Sequence, residues 1–380
     1  MAISIRSNVA AMNAQNSLTR ASNKAENSMV HLASGNRING AKDDAAGLLI
    51  SNRLAFQESG IDVATKNAND GISILQTAEG GMGESTNVLQ RIRDLAIQSA
   101  NGVNTSDERI ALDKEVQALK DEMNRLSDTT RFGGRNLLNG TFGDETFQVG
   151  ASQGEAMNIS IESIRSDNQN MGGAVFTAGE GKDSSWTVSL GNSEFNYSFT
   201  NKDGNKEFHT INVKAGDGLQ KIATYINGQS QEALKASVNE DGELQIYMDH
   251  NNIENGVDFS GSLADELDLS GSLAEIQTVS DIDITTVGGA QKAISIVDSA
   301  VGYIDSQRAE LGAYQNRLAH NISNLNDIQV GVTESKGRIQ DTDYAKETTE
   351  MTKNQIMSQA GTSILAQARQ STASALSLLA

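Results

Sequence analysis

The sequence predicts a mainly α-helical fold: a long coiled-coil bundle built from both chain ends, with an inserted α+β, β-rich outer domain. Three observations support this fold class. Apolar residues recur at alternating spacings of three and four over long stretches in both halves of the chain. Proline, the commonest helix breaker, is absent from all 380 residues. Short alternating runs bounded by glycine, which are typical of strands, are confined to the middle.

The most regular apolar stripe covers residues 294–332. One heptad position is filled without interruption by Val297, Ile304, Leu311, Leu318, Leu325 and Val332. The other position holds Ile294, Val301, Arg308, Gln315, Ile322 and Gln329. Such a stripe predicts a long coiled-coil helix, which is stable only against a partner.

Two stripes in the N-terminal half are the predicted partners. The first repeats the same alternation over residues 61–99 and includes Leu75, Leu89 and Ile92. Its helix is expected to begin near Asp43 and Asp44, with a candidate interruption at residues 80–83. The second stripe, in a helix opened by a capping box at residues 105–108, is Leu112, Val116, Leu119, Met123 and Leu126. Three stripes can bury one another as a bundle, so the two chain ends should run together.

The extreme ends carry weaker stripes. Residues 1–34 place Ala11, Ala14, Leu18, Ala21, Ala25, Met29 and Leu32 on one face. After a break expected at Gly337, the last helix places Met357, Ala360, Ile364, Leu365, Ala368, Thr372, Ala375, Leu376 and Leu379 on another. Because alanine buries little area, we expect both ends to be loose in a monomer and to order when copies associate.

The middle of the chain predicts hairpins over 132–164 and a small α+β domain over 172–285. Strands are expected at 186–190, 194–199 and 208–213, a helix at 217–227, and a hairpin at 236–247 with a turn at Asp241 and Gly242. The predicted divisions are therefore 1–40 (N-terminal helix), 41–171 (bundle and hairpins), 172–285 (outer domain), 286–340 (bundle) and 341–380 (C-terminal helix).

Charge separates the inserted domain from the ends. The formal net charge is −19, which argues against a nucleic-acid binder. Residues 236–291 contain twelve acids and no lysine or arginine, whereas residues 1–40 have a net charge of 4 − 1 = +3. Copies could thus pack through their ends while the acidic domains stay apart in water. We expect no membrane partner, because no run approaches the roughly 20 apolar residues of a membrane helix. No cleaved secretory signal is predicted in residues 1–16.

The sequence predicts no catalytic, cofactor or metal site. Cysteine is absent, and the four histidines form no metal-binding pattern. The glycines near Gly81 lack the lysine of a phosphate loop and favour a helix irregularity instead.

Several segments resemble bacterial flagellin. They are 33–47 (ASGNRINGAKDDAAG), 89–102 (LQRIRDLAIQSANG), 341–345 (DTDYA), 359–368 (QAGTSILAQA) and 376–379 (LSLL). The resemblance covers about 1–165 and 285–380, while 216–244 is similar to an insertion motif shared by hook proteins and flagellins. It implies a structural subunit that self-assembles into the flagellar filament for motility. Residues 1–40 and 341–380 would form an inner tube, 44–165 and 286–335 an outer tube, and 172–285 the solvent-facing domain.

The resemblance also implies partners. Export would use the flagellar type III apparatus, the product would be extracellular, and other flagellins, the filament cap and hook-associated proteins would be contacts. Terminal contacts with other copies or an export chaperone would use Leu18, Met29, Ile364, Leu365, Leu376 and Leu379. A host flagellin-sensing Toll-like receptor would read Arg91, Leu95 and Glu115, which could equally be an ordinary subunit contact. The hairpin at 132–150 corresponds to one involved in supercoil switching.

Three alternatives remain open at this point. A hook–filament junction protein shares the coiled ends but does not form long filaments. An enzyme could be inserted at 172–285, although no metal-binding motif supports it. The same domain could also be an adhesin.

Overall fold

The computed structural model describes residues 7–179, 181–183, 185–200, 205–230, 233–249, 257–271 and 274–377. The chain folds into two compact units. Unit 1 holds the chain up to Lys66, Val149–Glu155, and the chain from Asn321 onward. Unit 2 holds Asn67–Gln148 and Ala156–His320.

Long helices dominate the described residues, which confirms the predicted fold class. They are α1 (Val9–Ser34), α2 (Ala45–Ser99), α3 (Ser106–Thr129), α6 (Val287–Gln340) and α7 (Tyr344–Ser377). Two shorter helices, α4 (Leu219–Gln229) and α5 (Ser262–Glu266), lie in the insertion.

Side chains fix the starts of these helices. The Asn8 side chain accepts a hydrogen bond from the Ala11 amide and caps α1. Asp44 accepts one of 2.9 Å from the Gly47 amide at the start of α2. Thr105 and Glu108 form the predicted capping box of α3.

The two helix breaks expected from glycine do not form. A Cβ at Gly81 would lie 2.6 Å from a methyl of Leu138, so glycine is needed there for close packing against a continuous α2. Gly337 lies within α6, where its carbonyl still accepts a 2.8 Å hydrogen bond from the Asp341 amide. The break falls between α6 and α7, where Asp341 forms a β-bridge with Asn36.

Hairpins follow α3, as predicted. Strands β1 (Arg131–Phe132) and β2 (Arg135–Asn136) pair antiparallel, and so do β3 (Gly143–Gln148) and β4 (Ala156–Ile161).

The insertion contains two antiparallel sheets. One has the order β11-β5-β9-β8, formed by β11 (Glu275–Thr278), β5 (Gly172–Thr177), β9 (Leu244–Asp249) and β8 (Lys235–Val238). The other has the order β10-β6-β7, formed by β10 (Val257–Ser260), β6 (Glu194–Thr200) and β7 (Lys206–Asn212). The strand expected at 186–190 was wrong: this stretch is irregular, and the Trp186 indole donates to Glu266.

One apolar core joins these sheets to α4. Phe176 from β5 and Phe195 from β6 both contact Phe259, with ring centroids 5.0 and 5.8 Å apart. Ile222 and Ile226 of α4 are buried in the same cluster. Each sheet thus packs one of its faces against this core. This packing accounts for the alternation of apolar and polar residues that predicted β6 and β7.

Candidate functional site: the paired terminal helices

The two terminal helices pair as an antiparallel hairpin within unit 1. At one end, Asn8 Nδ2 donates a 2.9 Å hydrogen bond to the Ala368 carbonyl. At the other end, the Tyr344 hydroxyl donates one of 3.2 Å to the Leu32 carbonyl. Near that end, Nδ1 of His31 lies 3.2 Å from a carboxylate oxygen of Glu347. The two chain ends that resemble flagellin in sequence are therefore neighbours in the fold.

The faces that pack together in this hairpin are built mainly from small residues. The inner face of α1 comprises Ala11, Ala14, Leu18, Ala21, Ala25, Ser28 and Leu32. The inner face of α7 comprises Glu347, Met351, Asn354, Ser358, Gly361, Leu365 and Ala368. Small side chains let two helices approach closely, and the approach leaves little room for larger ones.

The predicted stripes were wrong at three large residues. Met29, Met357 and Ile364 are 50, 56 and 57% exposed, respectively, and point away from the hairpin seam. Ser28, the residue before Met29, occupies the inner position of α1 instead. Ser358 and Gly361 occupy the corresponding inner positions of α7. The Leu376 side chain and all of Leu379 lie outside the described residues.

Unit 1 exposes large apolar side chains on all four of its long helical segments. The exposed residues are Val9, Met12, Met29 and Val30 on α1, Leu49, Ile50, Phe56 and Val63 on α2, Ile328 and Val330 on α6, and Ile356, Met357 and Ile364 on α7. Leu49, Phe56 and Val63 are seven residues apart and lie on one line of α2. A row of large exposed apolar side chains on one helix face indicates an interaction surface.

Within unit 1, α2 also pairs antiparallel with α6. Ile61 and Ala64 are buried with Leu325 and Val332 in one cluster. Beside this cluster, Lys336 donates a 2.8 Å hydrogen bond to Glu58. That hydrogen bond lowers the pKa of the Glu58 carboxyl from its ordinary value.

Within unit 2, the predicted seam residues of α2 and α6 lie in the interior. Leu75, Leu89, Ile92, Val297, Ile304, Leu311 and Leu318 are all fully buried. A Cβ added at Gly71 would lie 3.2 Å from a methyl of Leu318, so the two helices are in close contact there. Gln315, at a heptad core position, donates a 2.9 Å hydrogen bond to Glu79 of α2.

Helix α3 is rotated relative to its predicted stripe. Leu112, Leu119 and Leu126 are only half-buried, whereas Arg109, Lys120 and Ser127 join Val116 and Met123 in the interior. Lys120 Nζ donates to the carbonyls of Ser280 and Ile282 at 2.7 and 3.0 Å. Burial lowers the pKa of this lysine despite nearby carboxylates.

A three-residue ion cluster ties the insertion to the bundle within unit 2. Asp298 of α6 accepts hydrogen bonds of 2.7 Å from Arg93 of α2 and 2.9 Å from Lys235 of β8. Burial alone would raise the pKa of the Asp298 carboxyl, but these two cations outweigh it and hold the pKa below its ordinary value.

The three residues predicted to meet a host receptor do not share one surface. Arg91 and Glu115 are exposed and form a 2.7 Å ion pair between α2 and α3. Leu95 is only 1% exposed, so a receptor could not reach it without local opening of the bundle. Only Arg91 and Glu115 therefore remain candidates for that contact.

The described residues were found to hold neither a metal-ligand cluster nor a membrane-spanning helix, but they form a cleft. Within those ranges there is no cluster of three or more histidine, aspartate or glutamate side chains arranged to hold a metal ion. No helix in the same ranges is long and apolar enough to cross a membrane. A cleft of about 640 Å³ lies between α4, β8, β9 and α6, and the paired Lys235 and Asp298 form part of its wall.

The paired end helices, their exposed apolar side chains and the inserted domain define the class: a coiled-coil structural protein. Residues 5–143 match the bacterial flagellin N-terminal helical region, and residues 294–379 match the bacterial flagellin C-terminal helical region. Residues 198–249 match the flagellin hook IN motif.

Full-length relatives agree with these matches. The chain is 55% identical over 379 residues to Flagellin D of Vibrio cholerae, with 100% of both chains covered. It is 56% identical over 379 residues to Polar flagellin A of Vibrio parahaemolyticus, again with 100% of both covered. A solved structure of FliC from Burkholderia pseudomallei is 24% identical, with 65% of this chain and 99% of that chain covered and a TM-score of 0.40. The chain belongs to the bacterial flagellins and is a structural subunit of the flagellar filament.

Proposed function

We propose that the subunit polymerises by burying the exposed apolar residues of unit 1 against further copies of itself. The supporting observation is that Phe56, Met357 and Ile364 are 78, 56 and 57% exposed although they are large and apolar. Covering such side chains removes apolar area from water at roughly 25 cal/mol per Å². In the filament, residues 1–40 and 341–380 form the inner tube, and 44–165 and 286–335 form the outer tube.

Residues 172–285, in which acids outnumber bases, form the solvent-facing domain and carry no catalysis. Their charge keeps neighbouring copies apart at the outer radius while the ends pack. The hook–filament junction alternative is less supported, because relatives above 50% identity over the whole chain are flagellins.

The other partners follow from family membership. The subunit leaves the cell by the flagellar export apparatus, functions outside it, and can share a filament with other flagellins. An export chaperone holds the C-terminal helix and masks Ile364, Leu376 and Leu379. The filament cap and hook-associated proteins contact the polymer ends. Arg91 and Glu115 supply the surface that a host flagellin-sensing Toll-like receptor would read.

Seeded growth tests the polymerisation proposal. Purified subunit is added to sheared filament seeds and examined by electron microscopy, beside a truncation that lacks 1–40 and 341–380. A Met357→Ser/Ile364→Ser variant has its matched control in Leu190→Ser, since Leu190 is 96% exposed on the insertion. We expect growth only from the full chain and the control. Growth from the truncation, or equal growth from the double variant, would overturn the proposal.

A further inference from the structure

Two connectors fix one edge of the insertion to the bundle. They are the segments that lead into β5 and out of β11, and the Ser280 amide of the second donates a 2.9 Å hydrogen bond to the Ser166 carbonyl of the first. Helix α3 holds both connectors. Asn124 Oδ1 accepts a 3.0 Å hydrogen bond from the Ser166 amide, and Lys120, one helical turn earlier, donates one of 2.7 Å to the Ser280 carbonyl. The insertion is therefore attached to the bundle at a fixed point beside these two strands.

The insertion also has an apolar core of its own. The buried cluster around Phe195 consists of residues between 174 and 269. Strand β9 contributes Leu244, Ile246 and Met248 to this cluster. Because successive side chains of a strand point to opposite faces, the alternate residues of β9 lie on the face of the sheet that is turned away from the core.

This second face of the sheet meets α6 and is largely polar. Beside Val175 it carries Lys235, Ser237, Gln245, Tyr247 and Gln277. A Cβ added at Gly288 of α6 would lie 3.7 Å from the side-chain oxygen of Gln245, so the helix and the sheet are in contact there. The side-chain oxygens of Gln245 and Gln277 are buried, and neither has a hydrogen-bond partner among the described residues. Unpaired buried oxygens oppose docking, so this contact stabilises the closed arrangement less than an apolar contact of the same size would.

Two ion pairs fasten the opposite edge of the sheet to the bundle. In the strand order β11-β5-β9-β8, the connectors join β5 and β11, and β8 is the far edge. Lys235 of β8 pairs with Asp298 of α6 at 2.9 Å. In the turn between β8 and β9, Glu240 lies 3.6 Å from Arg109 of α3 and accepts a 3.1 Å hydrogen bond from the Val287 amide. The edge opposite the connectors is thus held by charge.

The two ion pairs differ from the connectors in their access to solvent. The Lys235 and Asp298 side chains are 40 and 30% exposed, and the Glu240 side chain is 52% exposed. Ion pairs with such exposure are weak, and dissolved salt weakens them further. The hydrogen bond between Ser166 and Ser280 joins neutral backbone groups, which salt does not screen. Raising the ionic strength should therefore loosen the far edge and leave the connectors in place.

We propose that the insertion is a hinged domain. The connectors are the hinge, and the two ion pairs, Lys235–Asp298 and Glu240–Arg109, form a latch that salt releases. When the latch opens, β8 moves away from α6 along the cleft of about 640 Å³ that lies between them. The apolar cores of the insertion and of the bundle stay intact, and side chains of α6 beneath the sheet become accessible to solvent. The hinge does not depend on the proposed polymerisation.

Thiol labelling measures this opening directly, because the chain contains no native cysteine. Ser299 of α6 is 8% exposed and lies under the sheet beside Tyr247. Burial raises the pKa of the Tyr247 hydroxyl, and the Ser299 side chain opposes that rise. Ser299→Cys therefore places a thiol in the joint between sheet and helix. Two fully buried serines supply matched controls: Ser85→Cys reports opening of the bundle, and Ser230→Cys reports opening of the insertion core.

Each single-cysteine variant of the full chain is treated as a monomer with N-ethylmaleimide, an uncharged reagent whose approach salt does not alter. Each labelling rate is divided by the rate of the same variant unfolded in urea. We expect Ser299→Cys to react severalfold faster than both controls, and faster still at high sodium chloride, while the controls stay slow. Equal rates for the three variants, or a Ser299→Cys rate that does not rise with salt, would overturn the proposal.

Substitutions of the latch residues test its two halves. Lys235→Met keeps the aliphatic stem and removes the cation, whereas Glu240→Gln keeps an acceptor for the Val287 amide and removes the charge. Each should raise the Ser299→Cys labelling rate severalfold at low salt and reduce its response to salt, because the pair that salt would weaken is already broken. An unchanged rate in either variant would contradict the latch as proposed.

Lys221→Met and Glu243→Gln are the matched controls for these substitutions. Lys221 pairs with Asp217 at 3.1 Å within the insertion, and Glu243 accepts a 2.7 Å hydrogen bond from Asn239 within one turn. Each control removes the same charge as its latch variant without touching the bundle. Both should therefore leave the Ser299→Cys labelling rate at the native value, and a severalfold rise in either would show that net charge, and not the latch, governs opening.

The double variant Lys235→Met/Glu240→Gln separates a hinge from a general loss of structure. With Ser299→Cys it should give the fastest labelling and little response to salt. With Ser230→Cys it should label as slowly as the native background does. Fast labelling of Ser230→Cys would mean that the two latch residues support the fold of the insertion itself, and would overturn the proposal.

Discussion

Arg93 on α2 donates a 2.7 Å hydrogen bond to Asp298 on α6, and Lys235 of the insertion shares the same carboxylate. One partly buried acid therefore joins three elements of unit 2. Replacing Asp298 with asparagine should lower the free energy of unfolding by about 1–2 kcal/mol, because two cations lose their charged acceptor. Urea denaturation followed by circular dichroism measures this loss. Asp305→Asn on the exposed face of the same helix is the control and should change little.

The same carboxylate predicts a pH dependence. Its pKa is depressed in the folded state, so its contribution is fully present above the unfolded value of about 3.9 and is lost as pH falls through the folded pKa. The difference in unfolding free energy between the native chain and Asp298→Asn should therefore shrink as pH falls below about 4. A difference that stayed constant between pH 7 and pH 3 would contradict the assignment.

A larger loss of unfolding free energy is expected from a substitution in the bundle seam. Leu318 is fully buried and lies against Gly71, so Leu318→Ala should cost about 2–5 kcal/mol through lost burial and a residual cavity. Val330→Ala removes the same class of side chain from an exposed site on the same helix and should cost under about 0.5 kcal/mol. Equal melting temperatures for the two variants would place Leu318 outside the core.

Lys120 is expected to stabilise the fold as a hydrogen-bond donor in the interior, although it is charged. Its ammonium donates to the carbonyls of Ser280 and Ile282, so Lys120→Met keeps the aliphatic stem but leaves two acceptors unsatisfied. We expect a loss of about 1–3 kcal/mol. Lys114→Met, at an exposed position of α3, should be nearly neutral. Thermal unfolding of both variants decides whether Lys120 acts as a structural donor.

Sequence periodicity predicted those parts of the fold in which large apolar residues face inward. The α6 stripe from Val297 to Val332 and the sheet alternation at Phe195 are of this kind, because burial there follows residue size. Sequence periodicity failed where polar or small residues fill the seam between packed helices. Arg109 and Lys120 are buried because backbone carbonyls accept their hydrogen bonds, and a one-dimensional pattern does not record where those carbonyls lie.

The candidate site shows the same contrast. Periodicity places Leu18 and Leu365 in a terminal seam, but it does not select Ser358 and Gly361, because neither is large and apolar. The signal that could have found them was the heptad spacing of small residues from Gly361 to Ala368. Met357 and Ile364 point outward because α7 turns the face that carries Ser358, Gly361 and Leu365 toward α1, and a periodic pattern does not record that rotation.

A substitution at Phe56 tests assembly separately from folding. It is 78% exposed on α2, in line with Leu49 and Val63, so its removal costs the monomer little buried area. Phe56→Ser should leave the monomer melting temperature within about 2 °C of the native chain, since surface substitutions usually change stability by under about 0.5 kcal/mol. Seeded growth should fall severalfold, because the same ring becomes buried between copies. Val103→Ser is the matched control, being 80% exposed outside this line, and should grow normally. Normal growth of Phe56→Ser would remove this face of α2 from the assembly surface, whereas a large fall in melting temperature would mean that Phe56 supports the monomer fold.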